Sequence, residues 1–456
     1  MRATWRMLAG RRDLRLVLTA GVISMTGDWI LTIGLTYRVF AVTGSTVASA
    51  LTMASAFAPQ LLLGAVAGVF ADRWDRRRTM IAADLLLAAG LLPLLLVHDA
   101  SRVWIVFAVL FWEGCVEQFF SPAQQAMVPR LVPEDELVAA NALSGQVSNV
   151  SRLAGSALGG VLAAAGGIVA VTLADAASFL ASAVLLVLVR TTGRTAGREG
   201  NPLRPAAVGE TPSGLRPSGG NPVRGRLAAV GTDLRAGLRL ATGHRTLRLL
   251  MIFALVTSVG EGTMSTLFTP FVENVLHGTP QDLGFILAAQ AVGGIAGGMA
   301  AAASGHRIRA ARLLGLGAVL FGLVDLAIFL YPLGYVAVWP AVAGMIVVGQ
   351  PGARTLAGLI TLFQRSSEDS YRGRVFGALS ALEGVSVLAG TLGAGYLSRV
   401  AGIVPVLAVQ GAGYVVAGLV MLRCLKGDCL REGAERVSLA PEIGTEKPVA
   451  ACPGTA

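Results

Sequence analysis

Long apolar stretches, separated by short polar or basic segments, dominate the sequence from end to end. Each stretch approaches the length of about 20 residues that a helix needs to cross a bilayer core. The pattern predicts twelve membrane-spanning helices, at residues 14–40, 46–71, 79–97, 103–121, 139–165, 169–189, 247–273, 282–303, 313–331, 336–362, 375–397 and 404–422. The sequence therefore predicts an all-α membrane protein.

A basic, Gly- and Pro-rich segment interrupts this pattern after the sixth predicted helix. Residues 191–246 include GRTAGREGNPLRPAAVGETPSGLRPSGGNPVRGR, which has the composition of a cytoplasmic linker. The linker divides the chain into a first six-helix half at residues 1–190 and a second at residues 247–423. We expect the polar tail at residues 424–456 to be cytoplasmic and disordered.

The two halves show a weak internal repeat. At an offset of 233 positions, Gly27-Asp28 falls on Gly260-Glu261, and a slightly different offset aligns LAGS at residues 153–156 with LAGT at residues 388–391. Two parallel six-helix repeats, related by an axis along the membrane normal, place a central site at their interface. The sequence thus predicts about twelve transmembrane helices in two such repeats, which rock to open the site to either side in turn.

Composition supports a membrane protein and explains the basic charge. Hydrophobic residues make up 54% of the chain and charged residues 14%, against about 25% charged in soluble proteins. The net charge of +10 lies in short loops between apolar stretches, so it indicates topology and no nucleic-acid partner. Basic residues concentrate in the loops that face the cytoplasm if the N-terminus is inside, which predicts that both termini are cytoplasmic.

Motifs for other chemistry are absent from the sequence. It has no phosphate-binding loop, no H-E-x-x-H motif, and four Cys and four His residues without zinc-site spacing. We therefore expect neither enzymatic activity nor a cofactor or metal. The expected partners are a small-molecule substrate and the lipid bilayer, and we expect a monomer.

The segment between the second and third predicted helices carries an arginine-rich turn, GAVAGVFADRWDRRRTM at residues 64–80. An arginine at the bilayer centre costs roughly 2.5–3.5 kcal/mol on insertion scales, so this turn must face water. Its glycine, aspartate and arginine pattern resembles the loop motif of the major facilitator superfamily of secondary transporters, with Asp75 in place of the usual glycine.

Two further motifs carry this resemblance. Residues 152–160, RLAGSALGG, resemble the fifth-helix motif of drug–proton antiporters, with Ser156 where proline is common. Gly27-Asp28-Trp29 and YRGRVF at residues 371–376 resemble a bacterial branch that includes macrolide efflux proteins and the enterobactin exporter. The resemblance covers roughly residues 14–423.

The resemblance implies a proton-coupled exporter in the bacterial inner membrane that works by alternating access. Its substrates would be small lipophilic or amphipathic molecules, such as antibiotics, siderophores or secondary metabolites. Two alternatives stay open at this point. One is a non-pumping or facilitative protein of the same fold, lipid-moving or sensory, and the other is a metabolite importer.

In the resembled family, the arginine-rich turn latches the two halves in the outward-facing state. This implies a conformational-switch loop made of Gly64, Gly68, Asp72, Arg73, Arg76 and Arg77. Alternatively, the arginines only hold the topology. Asp72 distinguishes the two roles, because charge bias requires no aspartate.

Ionisable residues inside predicted helices are functional candidates because their burial in a membrane is costly. Asp28 and Glu261 lie near the middle of repeat-equivalent helices, and we interpret both as candidates for proton coupling. A carboxyl group beside a central cavity can take up a proton from one side and release it to the other. Alternatively, Asp28 is neutralised by a fixed counter-ion, for which Arg152 is the candidate. Arg152 is otherwise an anion contact for the substrate.

Glu113 and Glu117 are four residues apart and share one helix face. Two like charges so close disfavour joint ionisation, so either one holds a proton or each pairs with an arginine. Glu113 is therefore a third coupling candidate, whereas we expect Glu117 to pair with Arg76 or Arg77.

Other residues of the predicted helices complete the hypothesis. Gly155, Gly159 and Gly160 are expected to pack at a helix crossing. Asp84 and Glu383 are expected to be structural and to pair with arginines near the membrane surface, whereas Asp175, Asp325 and Arg354 lie deeper and receive no role. Aromatic residues that could line the substrate cavity are Trp29, Tyr37, Phe107, Phe111, Trp112, Phe119, Phe268 and Phe271.

Overall fold

The computed structural model describes residues 11–71, 75–133, 137–190, 245–304, 310–366 and 372–438. These ranges are almost entirely helical and contain no strand. Twelve helices can be traced within them, which confirms the predicted all-α fold.

The helices of the first half are α1 (Arg12–Thr43), α2 (Thr46–Ala71), α3 (Arg76–Leu91), α4 (Val103–Leu131), α5 (137–166) and α6 (168–187). The helices of the second half are α7 (Arg245–Pro270), α8 (Pro280–Ser304), α9 (Ala310–Leu330), α10 (Trp339–Ser366), α11 (Arg372–Ala401) and α12 (Ile403–Ser438). A 3₁₀ segment (Leu92–Leu96) extends α3, and a π-helical turn (Phe271–Val275) extends α7.

The connection between α5 and α6 depends on one glycine. The helical path from Leu137 to Val187 is interrupted at Gly167, whose φ of 58° and ψ of −148° are not helical. This conformation is open essentially to glycine alone. Because Gly167 alone reverses the direction of the chain, α5 and α6 follow each other without a longer loop.

Polar residues fix where helices begin. Asp75 is the N-cap of α3, and its Oδ1 accepts a hydrogen bond from the Arg78 backbone N–H at 3.0 Å. The aspartate that departs from the family loop motif thus has a local structural role. At α8, the Thr279 hydroxyl and the Asp282 carboxylate exchange hydrogen bonds with each other's backbone N–H groups at 3.3 and 2.7 Å, which is a capping-box arrangement.

The last helix is longer than the sequence predicts. The predicted twelfth helix ends at residue 422, whereas α12 continues to Ser438. The added segment is rich in leucine, arginine and glutamate, which are good helix formers. The predicted tail therefore begins as a helix, and residues 439–456 lie outside the described ranges.

The outer surface of the bundle is that of a membrane protein. Ten helical segments in the described ranges are long and apolar enough to cross a membrane, and Val147–Val187 among them contains most of α5 and all of α6. Large apolar side chains face outward, such as Val400 at 79% exposure, which suits lipid contact. Trp104 and Trp339, at the starts of α4 and α10, are 63% and 64% exposed and fit an interfacial aromatic belt.

Each half has its own core, and the two halves meet mainly along two helix pairs. Buried residues of α1, α3, α4 and α6 form the core of the first half. Residues of α7 to α12 form two cores in the second half, one of which also includes Ile33 of α1. The main pairs that join the halves are α5 with α8 and α2 with α11. At the end of the bundle that carries the α1–α2 turn, Thr46 donates a hydrogen bond to the Gly395 carbonyl at 3.0 Å, and Arg399 donates one to the Ser45 hydroxyl at 3.2 Å. We call this end the α1–α2 end and the opposite one the α2–α3 end.

Candidate functional site

The repeat places equivalent glycine–carboxylate pairs in α1 and α7. In the first half, the backbone of Gly27 packs directly against Asp175 and Ser178 of α6. In the second half, the backbone of Gly260 packs against Gln410 and Tyr414 of α12. Asp28 and Glu261, which follow the two glycines, therefore occupy equivalent positions beside the sixth helix of their own half.

Five carboxyl groups of the first half lie close enough to interact electrostatically. They belong to Asp28, Asp84, Glu113, Glu117 and Asp175, on α1, α3, α4 and α6. We call them the first-half carboxyl cluster. Glu113 and Glu117 are partly exposed, as is Asp28, whereas Asp84 and Asp175 have 0% exposure. The structure thus brings two of the predicted coupling residues, Asp28 and Glu113, into one cluster.

Hydrogen bonds satisfy only part of this cluster. The Ser178 hydroxyl donates to Oδ1 of Asp175 at 3.1 Å. Both carboxylate oxygens of Asp84, Oδ2 of Asp175 and Oε2 of Glu113 are buried and have no hydrogen-bond partner. Asp84, expected to pair with the arginine-rich turn, instead faces Ser182 of α6. It lies on the α3 face that packs into the bundle, so it points away from the turn.

The sequence suggests Arg152 as the counter-ion of Asp28, but in the structure its electrostatic partner is Glu261. Arg152 interacts electrostatically with Glu261, whereas the charged neighbours of Asp28 are the four other carboxyl groups of its cluster. The reason is the direction of the side chain. Arg152 leaves α5 towards the second half, where Nη2 lies 3.4 Å from the position that a Cβ on Gly294 of α8 would take. Arg152 and Glu261 therefore form a charge pair between the halves.

In the polar centre of the second half, side chains of the same half bond to each other, although Oε1 of Gln410 is buried without a partner in the described ranges. Asp325 on α9 is 2% exposed and accepts a hydrogen bond from Gln410 Nε2 at 2.9 Å. Tyr414 donates to the Thr257 carbonyl at 3.2 Å and also lies near both Glu261 and Asp325. Glu261 itself is exposed. Because it faces Arg152 of the other half, we place its carboxylate at the space between the halves.

The arginine-rich turn lies partly outside the described residues. Asp72 and Arg73 are not described, and of Gly64 and Gly68 the structure gives only the helical path within α2. Arg77 donates hydrogen bonds to the carbonyls of Leu186 at 2.9 Å and of Val187. The expected pairing of Glu117 with Arg77 is therefore wrong, because Arg77 reaches the C-terminus of α6, where a cation is favoured by the helix dipole. Arg76, at the start of α3, also forms an interaction.

The three glycines of α5 lie at two different contacts. A Cβ on Gly155 would lie 2.5 Å from the Thr26 carbonyl oxygen, and one on Gly159 would lie 2.9 Å from Ile30 Cα, so both pack against α1. A Cβ on Gly160 would lie 2.6 Å from the Pro280 carbonyl oxygen at the start of α8. Gly160 therefore lies between the halves, whereas Gly155 and Gly159 lie within the first half.

Aromatic residues predicted to line a cavity are partly in the packed core. Phe268 and Phe271 are 4% and 0% exposed, and Phe271 packs edge-on against Phe329 with ring centroids 5.4 Å apart. Both belong to a hydrophobic core of the second half, which also contains Phe329 of α9. Trp112 donates a hydrogen bond to the Leu86 carbonyl at 3.3 Å and joins α4 to α3.

Asp175 and Gln410 have no role in the hypothesis drawn from the sequence, although the sequence contains a signal for both. Thr172, Asp175, Ser178 and Ser182 recur at spacings of three and four residues, which places them on one face of α6. Gln410 lies 235 positions after Asp175, at the offset of the LAGS repeat. A polar face inside an apolar helix is costly, so it indicates buried polar contacts.

Twelve helices in two repeats, with ionisable groups at mid-depth and charges that meet between the halves, define a multi-pass membrane transporter. Family models agree with this class. The description "Transmembrane secretion effector" matches residues 6–206 and "Major Facilitator Superfamily" matches residues 250–451. The chain belongs to the major facilitator superfamily.

Individual relatives cover nearly the whole chain. The multidrug efflux pump Tap of Mycobacterium tuberculosis is 27% identical over 95% of this chain and 97% of its own length. The uncharacterised MFS-type transporter YfiS of Bacillus subtilis is 26% identical over 91% and 94%. The crystal structure of a bacterial homologue of the iron transporter ferroportin, in its inward-facing state, aligns with a TM-score of 0.69 and 12% identity over 90% of this chain and 98% of that one. This structural likeness supports the fold.

Proposed function

We propose that the protein is a secondary active exporter of small lipophilic or amphipathic molecules, driven by the entry of protons. It works as a monomer in the bacterial inner membrane with both termini in the cytoplasm. The observation that carries the proposal is the first-half carboxyl cluster, in which five acidic side chains from four helices lie together in the membrane-embedded bundle.

Electrostatic repulsion within this cluster favours the binding of protons. The charged neighbours of Asp28 in the described chain are carboxyl groups, and like charges in a poorly solvated site oppose joint ionisation. Such a cluster holds protons and exchanges them when its surroundings change. Asp28 and Glu113 are partly exposed, so they can meet water when the central space opens, whereas Asp175 is enclosed.

The contacts between the halves support alternating access. The pairs Thr46 with Gly395 and Gly160 with Pro280 close the α1–α2 end. With the N-terminus inside, this end faces outward. The pair Arg152 and Glu261 lies deeper along the same interface, where a change of charge on Glu261 would alter the attraction between the halves. The arginine-rich turn from Gly64 to Arg77 acts in this proposal as the switch loop at the opposite end.

Export of lipophilic compounds is supported by the relatives. Tap is named a multidrug efflux pump and aligns along nearly the whole chain. The apolar composition of the helices around the carboxyl groups suits a substrate with an apolar body.

The test uses everted membrane vesicles that contain the protein, energised by respiration and reported by a pH-sensitive dye. Ethidium and erythromycin serve as probes, and Asp28→Asn is compared with wild type. We expect each transported probe to release protons from wild-type vesicles and to release them much more slowly from Asp28→Asn vesicles. Vesicles without the protein correct for the weak-base effect of the probes.

A matched variant controls for general damage. Ser386 on α11 is 4% exposed and donates only to the Leu382 carbonyl of its own helix, so Ser386→Ala should behave as wild type. If the wild-type protein moves a probe without proton release, it is a facilitator and the proton-coupled proposal fails. If it moves neither probe nor protons although it binds the probe, a non-pumping role replaces it.

A further inference from the structure

Asp84 and Ser182 form a buried polar pair inside the first half, between α3 and α6. Both side chains have 0% exposure. The Ser182 hydroxyl interacts with the Asp84 carboxyl group, but the two groups do not have the geometry of a direct hydrogen bond, and no other group in the described ranges bonds to them. The pair belongs to the interior of one half, because α3 and α6 pack on each other, and it does not lie at the interface where a substrate would bind.

The polar face of α6 connects this pair to the middle of the bundle. Asp175, Ser178 and Ser182 follow each other at spacings of three and four residues, so they share one face. Asp175 and Ser182 are two turns, roughly 10 Å, apart along the helix. At one end of this face, Asp175 contacts the backbone of Gly27 and lies near Asp28 and Glu113.

At its other end, this face approaches the α2–α3 end of the bundle. Ser182 lies one helical turn before Leu186, whose carbonyl accepts a hydrogen bond from Arg77 at the start of α3. Asp84 lies two turns after Arg77 on the same helix. Polar groups thus continue from mid-depth to within about two helical turns of that end.

Unpartnered polar groups in a dry core are costly. A buried donor or acceptor left without a partner loses its hydration without any compensation, and proteins usually satisfy such groups with ordered water. Here a carboxyl group and a hydroxyl group face each other, and another unpartnered carboxylate oxygen, Oδ2 of Asp175, lies on the same face of α6. Water molecules between them would satisfy all three side chains.

We infer that the interior of the first half holds a water-filled proton path, from Asp28 through Asp175 and Ser182 to Asp84 and the α2–α3 end. This inference rests on the proposed function and separates the route of the proton from that of the substrate. The groups that face the path are Asp28 on α1, Asp84 on α3, Glu113 and Glu117 on α4, and Asp175 on α6.

Each step along the path is a proton transfer between oxygens. The carboxylic acid of Asp28 gives its proton to a water molecule and becomes a carboxylate. The hydronium ion passes a proton along the chain of water to the Asp84 carboxylate. Asp84 then releases it to bulk water at the α2–α3 end, so only O–H bonds break and form.

The first experiment compares two transport modes of the purified protein in liposomes. Ethidium counterflow requires alternating access but no net proton movement, whereas uphill ethidium transport requires proton entry. In Asp84→Asn and Ser182→Ala, we expect wild-type counterflow and an uphill transport rate lowered at least about tenfold, within the range that coupling free energies of 1–3 kcal/mol give. Ser386→Ala is the matched hydroxyl control and should keep both modes.

The outcome that overturns the path is wild-type proton-driven transport in both variants with counterflow intact. The path is also wrong if both variants lose counterflow and proton-driven transport together, because they would then act on alternating access itself. Loss of proton coupling in wild-type protein would instead contradict the proposed function.

A second measurement needs no substrate. Infrared spectroscopy of the protein in lipid follows the C=O stretch of protonated carboxyl groups during a pH titration and after transfer from H₂O to D₂O. We expect Asp84→Asn to remove one exchangeable carboxyl band and Ser182→Ala to shift that same band. If the spectra of both variants match wild type, Asp84 holds no exchangeable proton and the path is refuted, whether or not ethidium is a substrate.

Discussion

The two halves put a glycine and a carboxylate at the same place in their first helices, but they surround the pair with different groups. In the first half, Gly27 packs on Asp175, and Asp28 is surrounded by further carboxyl groups. In the second half, Gly260 packs on Gln410, and Gln410 holds Asp325 by a hydrogen bond of 2.9 Å. One carboxyl group in α6 is thus replaced by one amide in α12.

This difference has a chemical consequence. An amide donates and accepts hydrogen bonds but does not take up or release a proton at physiological pH. The second half can therefore hold Asp325 in a fixed arrangement, whereas the first half collects groups that can exchange protons. In the proposed transporter, proton exchange belongs to the first half, and Glu261 contributes through its attraction to Arg152.

The strongest test of this comparison neutralises the equivalent carboxylates separately. Asp28→Asn should lower proton-driven transport about 5–150-fold, the range expected for a coupling free energy of 1–3 kcal/mol. Glu261→Gln should lower it less, because the first-half cluster stays intact. The measurement is the rate of dye recovery in energised everted vesicles on addition of ethidium, at equal protein levels. Equal losses in the two variants would show that the halves share proton coupling.

A smaller effect is expected at the charge pair between the halves. Arg152→Ala should slow transport, because it leaves Glu261 without its counter-charge, and Arg152→Lys should keep part of the rate. In the double variant Arg152→Ala with Glu261→Gln, the two losses should not add, with a coupling energy of about 0.5–3 kcal/mol. The double-mutant cycle is measured on initial rates of ethidium transport. Additive losses would mean that the two residues act independently.

Substitutions of two glycines in α5 distinguish helix packing within the first half from helix packing between the halves. Gly155→Ala places a Cβ 2.5 Å from the Thr26 carbonyl and should destabilise the first half by about 1–3 kcal/mol, the usual cost of overpacking. Gly160→Ala meets the Pro280 carbonyl at 2.6 Å and should favour the state in which α5 and α8 separate. Thermal unfolding monitored by tryptophan fluorescence follows the first effect.

The separation of α5 from α8 is measured as the distance between spin labels on the two helices. We expect the distance to lengthen in Gly160→Ala and to stay unchanged in Gly155→Ala. If Gly160→Ala lowers the melting temperature but does not change the distance, Gly160 contributes only to packing, as Gly155 and Gly159 do.

The sequence predicts the helices of this protein well because a membrane-spanning helix is determined by its own stretch of sequence. An apolar stretch of about 20 residues specifies a helix whatever its neighbours, and the positions of Asp28 and Glu261 follow from the repeat. The partners of ionisable side chains, in contrast, depend on how distant parts of the chain pack together. Similar depth in the membrane suggests that Arg152 pairs with Asp28, but the direction of its side chain from α5 brings it to Glu261. The clustering of Asp84 with Asp175 likewise depends on how α3 packs on α6.

The smallest effect is expected where the two halves use the same local device. Asp75 is the N-cap of α3 in the first half, and Asp282 completes the capping box of α8 in the second. Asp75→Ala and Asp282→Ala should each cost about 0.5–2 kcal/mol, as losses of capping side chains do, which corresponds to about 2–4 °C in melting temperature per kcal/mol for units of this size. Asp75→Asn should be close to wild type because its side-chain oxygen still accepts the Arg78 N–H. Helix capping does not depend on the first-half carboxyl cluster. Similar losses of stability in the two variants would therefore show that the two halves differ in their buried polar groups and not in their helix caps. A large loss of transport in Asp75→Ala with an unchanged melting temperature would instead show that the start of α3 takes part in conformational switching.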